Sequence, residues 1–415
     1  MSLRTCLLAA LLATAALPAL AQSKDKDTPT KAERAVHESL IVLDTHFDTP
    51  ANFSRDGWSI MDRHAVTVDG SQVDYPRMVE GGVDGGLFAI FTPQGPRTPD
   101  GDTKARDAAL IRGVEIHEMV AAHPKEFEIA LTPDQALDIA ERHKRFVFIS
   151  MENGNPFGQD LSLMKTFYDL GVRVMGPVHF LNNQLGDSAT DKKEWGGLSP
   201  LGKEFVARAN RMGIVLDASH ASDTVLDDML ALSKAPILLS HSGVRAIYNH
   251  PRNLDDAHLK ALAAHGGVIQ INAFSAYMID PVHIPERDAA MGALMQKLTS
   301  PGRRTEAQTV ALIAARAEID KKWPVKRANF DDYMKHMLHA IQVAGIDHVG
   351  VSGDFDGGGG LEGLDDVTAY PKITAALLRA GYSKADVAKV WGGNALRVMR
   401  EAQALAEQPA ATAPR

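Results

Sequence analysis

Eight short apolar runs punctuate the chain, and between most of them the apolar positions recur at helical spacing. The runs are 40–43 (LIVL), 86–91 (GLFAIF), 146–150 (FVFIS), 172–176 (VRVMG), 213–217 (GIVLD), 236–240 (PILLS), 267–271 (GVIQI) and 348–352 (HVGVS). Unbroken apolar runs of this length suit strands buried on both faces, as in a parallel sheet covered by helices. The stretch LSPLGKEFVARANRMG predicts a helix capped by Ser199, with Pro200 at its first position and Gly213 past its end. SDTVLDDMLALSK predicts a helix that begins on Ser222, and LDDAHLKALAAHGG one that stops on a glycine pair. Eight strands, each followed by helical material, predict an α/β fold, a (β/α)8 TIM-type barrel. An open doubly wound sheet is the alternative, because a strand count does not prove closure.

One connection is long. Residues 272–347 separate the last two runs and carry two helical patterns, RTEAQTVALIAARAEIDKKW and NFDDYMKHMLHAIQVAG. A structureless loop of that length is disfavoured, so about 274–328 reads as a helical insertion between strands 7 and 8, lying over the barrel mouth. With no internal repeat and no Pro/Ser-rich linker, residues 35–402 read as a single domain.

The composition, 45% hydrophobic and 23% charged, is that of a soluble globular protein. A net charge of −8 argues against nucleic acid as a partner. Arg4, the apolar CLLAALLATAALPAL and the small-residue site Ala19-Leu20-Ala21 predict a signal peptide over 1–21, cleaved before Gln22. An anchoring helix would need about 20 apolar residues; this run is shorter and broken by Pro18, and no cysteine follows it for lipidation. The expected location is periplasmic or secreted, with no stable membrane span after signal removal. The one cysteine, Cys6, falls inside the signal, so the mature chain has no thiol for a disulfide or a metal. The polar lead-in 22–34 and the small-residue tail 403–415 are expected to be poorly ordered.

In a (β/α)8 barrel the chemistry sits at the C-terminal strand ends. The first run is followed by Asp44, His46 and Asp48, spaced two apart so that regular alternation would aim all three at one spot. The third leads to Glu152, the fourth to His179, the fifth to His220, the sixth to His241, and the eighth to Asp354 and Asp356. Any one of these is ordinarily a hydrogen-bonded loop residue, a cap or a turn. Together they bring a histidine or carboxylate to one end of six strands. By contrast, Glu115, Glu118, His143, His258, His336 and His339 fall on helical patterns, where a solvated face is the default. His46, Asp48, Glu152, His220 and His241 are too many for one tetrahedral zinc, which takes about three protein ligands at a catalytic site. They suit two metals about 3.5–4 Å apart sharing a carboxylate, with Glu152 as the bridge. Oxygen and nitrogen donors without thiolate fit two Zn²⁺, with Mn²⁺ or Co²⁺ as alternatives. Zinc lowers the pKa of its water to about 7, so the site would generate hydroxide near neutral pH and the implied chemistry is metal-assisted hydrolysis.

From about residue 40 to 399 the chain resembles the membrane (renal) dipeptidase family of zinc peptidases, within the amidohydrolase superfamily. The resemblance rests on DTHFD, YPRMVEGGVDGG, SMENG, HFLNN, LDASH, LSHSGVRAIYNHPRNLDD, AGIDHVGVSGDFDG and GGNALRV. It implies a distorted barrel whose glutamate-bridged dizinc site cleaves dipeptides. His46, Asp48 and Glu152 then resemble the ligands of one zinc; Glu152, His220 and His241 those of the other. His179 resembles the histidine that polarises the scissile carbonyl, Arg252 the arginine that grips the substrate carboxylate, and Asp354 the aspartate that handles protons and the amino group. Asp356, farther past the strand, is the second choice for that role. Asp44 is expected to orient a ligand without binding metal.

Thr45 and Phe47 stand where the family often has Gly and Asn, so altered packing is expected there. The insertion is longer than the family pattern and could lid the site, change substrate size or build a homodimer contact. Two other readings compete: a metal-dependent amidohydrolase for another carboxylate-bearing amide, lactone or β-lactam, and a binding protein on a dead barrel. Arg252 favours the dipeptide, and the filled metal positions argue against the dead barrel.

Overall fold

In the computed structural model, which describes residues 26–298 and 305–406, each apolar run lies on a strand of a parallel sheet or overlaps its start. The signal segment 1–21 lies outside the described residues. The strands are β1 Leu43–Phe47, β2 Gly85–Ile90, β3 Arg145–Met151, β4 Val172–Met175, β5 Val215–Leu216, β6 Leu238–Val244, β7 Val268–Ile271 and β8 Val349–Val351. Strands β1 to β5 pair in chain order, and β6, β7 and β8 form a second parallel sheet. Single parallel bridges join the sheets at both seams, Asp217 to Leu238 and Phe47 to Phe355. The backbone bonds Ala218 N to Leu238 O (2.8 Å) and Asp48 N to Phe355 O (3.0 Å) hold those seams. The eight strands therefore follow one another around a TIM-type barrel. Short strands Phe127–Ile129 and Asn253–Leu254 pair beside β3 and β6 without entering the ring.

Alternation divides the apolar residues. Leu43, Leu87, Phe146, Phe148, Val174, Val215, Leu238 and Val268, drawn from seven strands, pack in one cluster with Leu396, Val398 and Met399 of the helix Asn394–Ala404. Only the barrel interior brings seven strands together, so this cluster is the floor beneath the mouth. On β3, Val147, Ile149 and Met151 belong instead to the larger cluster shared with the helices. The inward face of β3 thus runs Phe146, Phe148, Ser150 and on to Glu152. The helix caps follow the sequence: Ser199 accepts from Gly202 N at the start of Pro200–Met212, Gly213 ends that helix at φ 69°, and Ser222 accepts from Val225 N.

One region differs from the sequence reading, and the long connection follows it. The lead-in is ordered from Lys26: Thr30 caps the helix Lys31–His37, and Arg379 binds Glu33 and the carbonyls of Lys26 and Thr28. Enough polar contacts hold it down to offset the entropy of ordering. The insertion is helical, with helices Ser275–Met278, Pro285–Leu298 and Glu306–Lys322. The last of these leans on the connection between β1 and β2, where Arg55 pairs with Glu306 at 2.6 Å and Ile313 packs against Gly70.

Candidate active site

Alternation alone would not aim the strand-end side chains as observed. The register of β1 on β2 shifts between Asp44 and Phe47, and that of β6 on β7 between Leu239 and Ser242. Each shift inserts one extra residue, a bulge that turns the following side chains. Hence Asp44 and His46 do not share a face. Asp44 instead accepts hydrogen bonds from His46 N, Gly353 N and the Tyr370 hydroxyl, pinning the top of β1 to the end of β8. His220, Asp354 and Asp356 lie at positive φ (66°, 51° and 66°), a conformation L-residues rarely adopt and one that clusters at functional sites.

The result is a buried cluster around one oxygen. Glu152 Oε1 lies 3.1 Å from His220 Nε2, 3.3 Å from His179 Nε2, 3.7 Å from His241 Nε2 and 3.8 Å from His46 Nε2. His46 Nε2 is 3.2 Å from Asp48 Oδ2, and the Nε2 atoms of His220 and His241 face each other at 2.9 Å. Three groups spaced to hold a cation follow: His46, Asp48 and Glu152; Glu152, His220 and His241; His46, His241 and Asp354. The first two share Glu152. Buried His46 Nε2, Asp48 Oδ1 and His220 Nδ1 have no hydrogen-bond partner, a costly state for polar atoms and one that coordination by Nε2 and Oδ1 would relieve. The donor set fits divalent metal.

Arg252 is buried beside the cluster. Its Nη2 donates to the carbonyl of His241 at 3.0 Å, its Nε is unpartnered, and its guanidinium lies 5.3 Å from the ring centre of Tyr277. All eight residues singled out by sequence for metal, catalysis or substrate meet here. Asp356 does not: it accepts from the Thr49 hydroxyl (2.6 Å) and Gln72 N (2.7 Å), bracing the glycine loop.

Burial dominates the protonation equilibria. It pushes Glu152 well above the usual carboxylate range, helped by Asp48. Burial lowers His220 and His241 far below the usual imidazole value and takes His179 to about 3, with Arg252 adding to each. For His46 burial also pulls downward, but Asp48, Glu152 and Asp354 outweigh it and lift the imidazole to about 10. Asp354 rises to about 7 through burial, partly opposed by His46. A divalent cation among these donors would take over the charge balance that a proton on His46 otherwise supplies.

Some participants escaped the sequence reading. Asp217 accepts from Ser219 N, Ser240 N and the Ser240 hydroxyl, and Ser240 Oγ lies 2.9 Å from His241 Nδ1. That relay orients His241 as a ligand's outer partner does; the serines in LDASH and LSHS are its only trace. Tyr277 comes from the insertion. Thr45 donates to the carbonyl of Ser240 (2.7 Å), and Phe47 packs on Phe88. Two histidine or acid positions assigned to solvated faces are buried: Glu115 pairs with Arg112, and His336 Nδ1 accepts from Val244 N while its Nε2–H faces the carbonyl of Met278. Two further groups of metal-binding residue types, His64 with Asp69 and Glu306, and Asp223 with Asp255 and His258, already hold arginines, Arg55 and Arg245.

A parallel TIM-type barrel with such a carboxylate and imidazole cluster at its C-terminal mouth defines a metal-dependent hydrolase. Residues 30–413 match the membrane dipeptidase family, peptidase family M19, and the chain belongs to it. It is a metal-dependent dipeptidase. Dipeptidase tcpJ of Claviceps purpurea (strain 20.1) is 28% identical over 360 residues, covering 84% of this chain and 74% of that protein. Among solved structures, the probable dipeptidase PvdM from Pseudomonas aeruginosa is 31% identical, with a TM-score of 0.77 over 90% of this chain and 98% of its own. A metallopeptidase from Rhodobacter sphaeroides, liganded with a phosphinate mimic of the dipeptide L-Ala-D-Ala, shares the fold at 24% identity. Its TM-score is 0.68 over 88% of this chain and 99% of its own.

Proposed function

We propose that this dipeptidase is exported and works with two Zn²⁺ bridged by Glu152. His46 and Asp48 complete one site, and His220 and His241 the other. The observation that carries this reading is the convergence of four imidazoles on the single oxygen Glu152 Oε1, at 3.1 to 3.8 Å. When bound, the ions would supply a bridging hydroxide near neutral pH; Mn²⁺ or Co²⁺ would serve the same donors.

The chain's own groups do the rest. Arg252 offers its unpartnered Nε to the carboxylate of the dipeptide, which fixes the substrate's direction in the mouth. His179, held neutral by burial, donates an N–H to the scissile carbonyl oxygen and stabilises it as charge develops. Asp354, with its carboxyl near 7, binds the amino group and moves a proton toward the leaving amine. The walls of the buried mouth strengthen each of these contacts by excluding water.

The test is Glu152→Gln. Loss of the shared carboxylate should reduce bound metal at both positions and lower activity by at least the roughly 10–100-fold seen when a ligand's outer partner is removed. Two metals per chain and full activity in the Glu152→Gln protein, by elemental analysis and dipeptide hydrolysis, would refute the bridged pair.

A further inference from the structure

Phe180 is 46% exposed, yet its ring is engaged at the heart of the mouth. It lies 4.0 Å from the His179 ring centre and meets His220 edge-on at 5.2 Å. Phe91 lies 5.0 Å from the same His179 ring. The segment beneath Phe180 is held on both sides. The Ser188 hydroxyl donates to the carbonyl of His179, and the Thr190 hydroxyl to the carbonyl of Phe180 at 2.8 Å. Leu181 exchanges two 2.8 Å bonds with the side-chain amide of Gln94. A large aromatic face kept open to solvent on a rigid backbone, against two imidazoles of the site, is a preorganised apolar contact surface.

The direction of the substrate decides what it contacts. Arg252 is bonded to the carbonyl of His241, and His241 faces His220 at 2.9 Å. With Arg252 as its grip, the carboxylate end of a dipeptide lies by the strand end that carries His241, and the adjoining His220 ring is the one that Phe180 meets. We propose that Phe180 sets specificity for the C-terminal residue of the dipeptide, favouring a bulky apolar or aromatic side chain there. The inference rests on the reading of Arg252 as the carboxylate grip.

The experiment measures kcat/KM for the metal-loaded wild type and for Phe180→Ala on two substrate pairs. Ala-Phe against Ala-Gly varies the C-terminal residue; Phe-Ala against Gly-Ala varies the N-terminal one. In Phe180→Ala the Ala-Phe to Ala-Gly ratio should fall about tenfold, the scale of an apolar side-chain contact. The Phe-Ala to Gly-Ala ratio should stay near that of the wild type. Phe180→Leu, which keeps apolar bulk, should restore most of the first ratio. Equal losses on all four dipeptides, or a loss of discrimination confined to the N-terminal pair, would overturn the assignment. Arg252→Met in the same panel separates the two ideas: if it leaves kcat/KM unchanged while Phe180→Ala still shifts a ratio, the carboxylate grip is the part that fails.

Discussion

Arg252 shows how much one side chain's setting decides. Its residue type and its place in HPRNLDD suggest a carboxylate partner, but only its burial and its unpartnered Nε, beside an Nη2 already bonded to the His241 carbonyl, make it available. A buried guanidinium with an unfilled donor is costly unless a ligand completes it. Arg252→Met should therefore lower kcat/KM for a dipeptide ten- to a hundredfold, given about 1.5–3 kcal/mol for a hydrogen bond to a charged group. A dipeptide amide, which lacks the carboxylate, should suffer little further loss. The four rates form a double cycle that isolates the contact. Equal losses on acid and amide would assign Arg252 to the fold and favour a general amidase.

At the scale of elements, the site depends on how the strand ends depart from regularity. Bulges in β1 and β6 turn His46, Asp48 and His241 toward the mouth, and the loop after β8 closes over them. In that loop a Cβ on Gly357 would sit 1.9 Å from Asp48 Oδ2 and 2.9 Å from Asp354 Oδ1. The glycine is required by close approach to two site carboxylates. Gly357→Ala should displace Asp48 and weaken metal binding roughly 10–100-fold, as loss of ligand support does. Titration with a competing chelator checks it, with circular dichroism to show an unchanged fold. An unaltered affinity would mean that the loop yields and Asp48 stays. The glycine run in GDFDGGGG was legible as a turn. Its contact with a carboxylate 309 residues earlier (357 − 48) in the chain was not.

For the molecule as a whole, buried histidines away from the metal cluster set an acid limit. His37 links the carbonyl of Gly81 to the hydroxyl of Thr374, and His336 joins Val244 N to the carbonyl of Met278. Burial lowers each to about 4 from an ordinary 6.5. The folded chain thus refuses protons that the unfolded chain accepts between those values. Stability is fully present above pH 6.5 and falls as pH drops toward 4. Replacing His37 by Gln should cost stability at pH 7 yet shrink the drop in Tm between pH 7 and pH 5, relative to the parent. Metal release is common to both proteins and cancels in the comparison. An identical drop would show that His37 does not titrate in this range.

Local physics determined much of this protein from sequence alone. Apolar runs marked seven strands closely and the eighth, β1, three residues early. Capping residues placed Ser199, Pro200, Gly213 and Ser222 at helix ends. The rule that barrel chemistry follows the strands collected the imidazoles and carboxylates. β1 was misplaced because Asp44, Thr45 and His46 are polar; Asp44 finds its partners in Gly353, past the end of β8, and in Tyr370 of the helix Tyr370–Arg379, and Thr45 in the carbonyl of Ser240 on β6. The bulges, the positive φ of His220 and Asp354, the Asp217–Ser240 relay and the entry of Tyr277 were decided by tertiary structure. Each depends on cross-strand pairing or on contacts between residues far apart in the chain. Residue type and spacing carry no record of such pairing, so which polar groups arrive at a strand's end is readable in advance, while the direction they finally point is settled by their neighbours in the barrel.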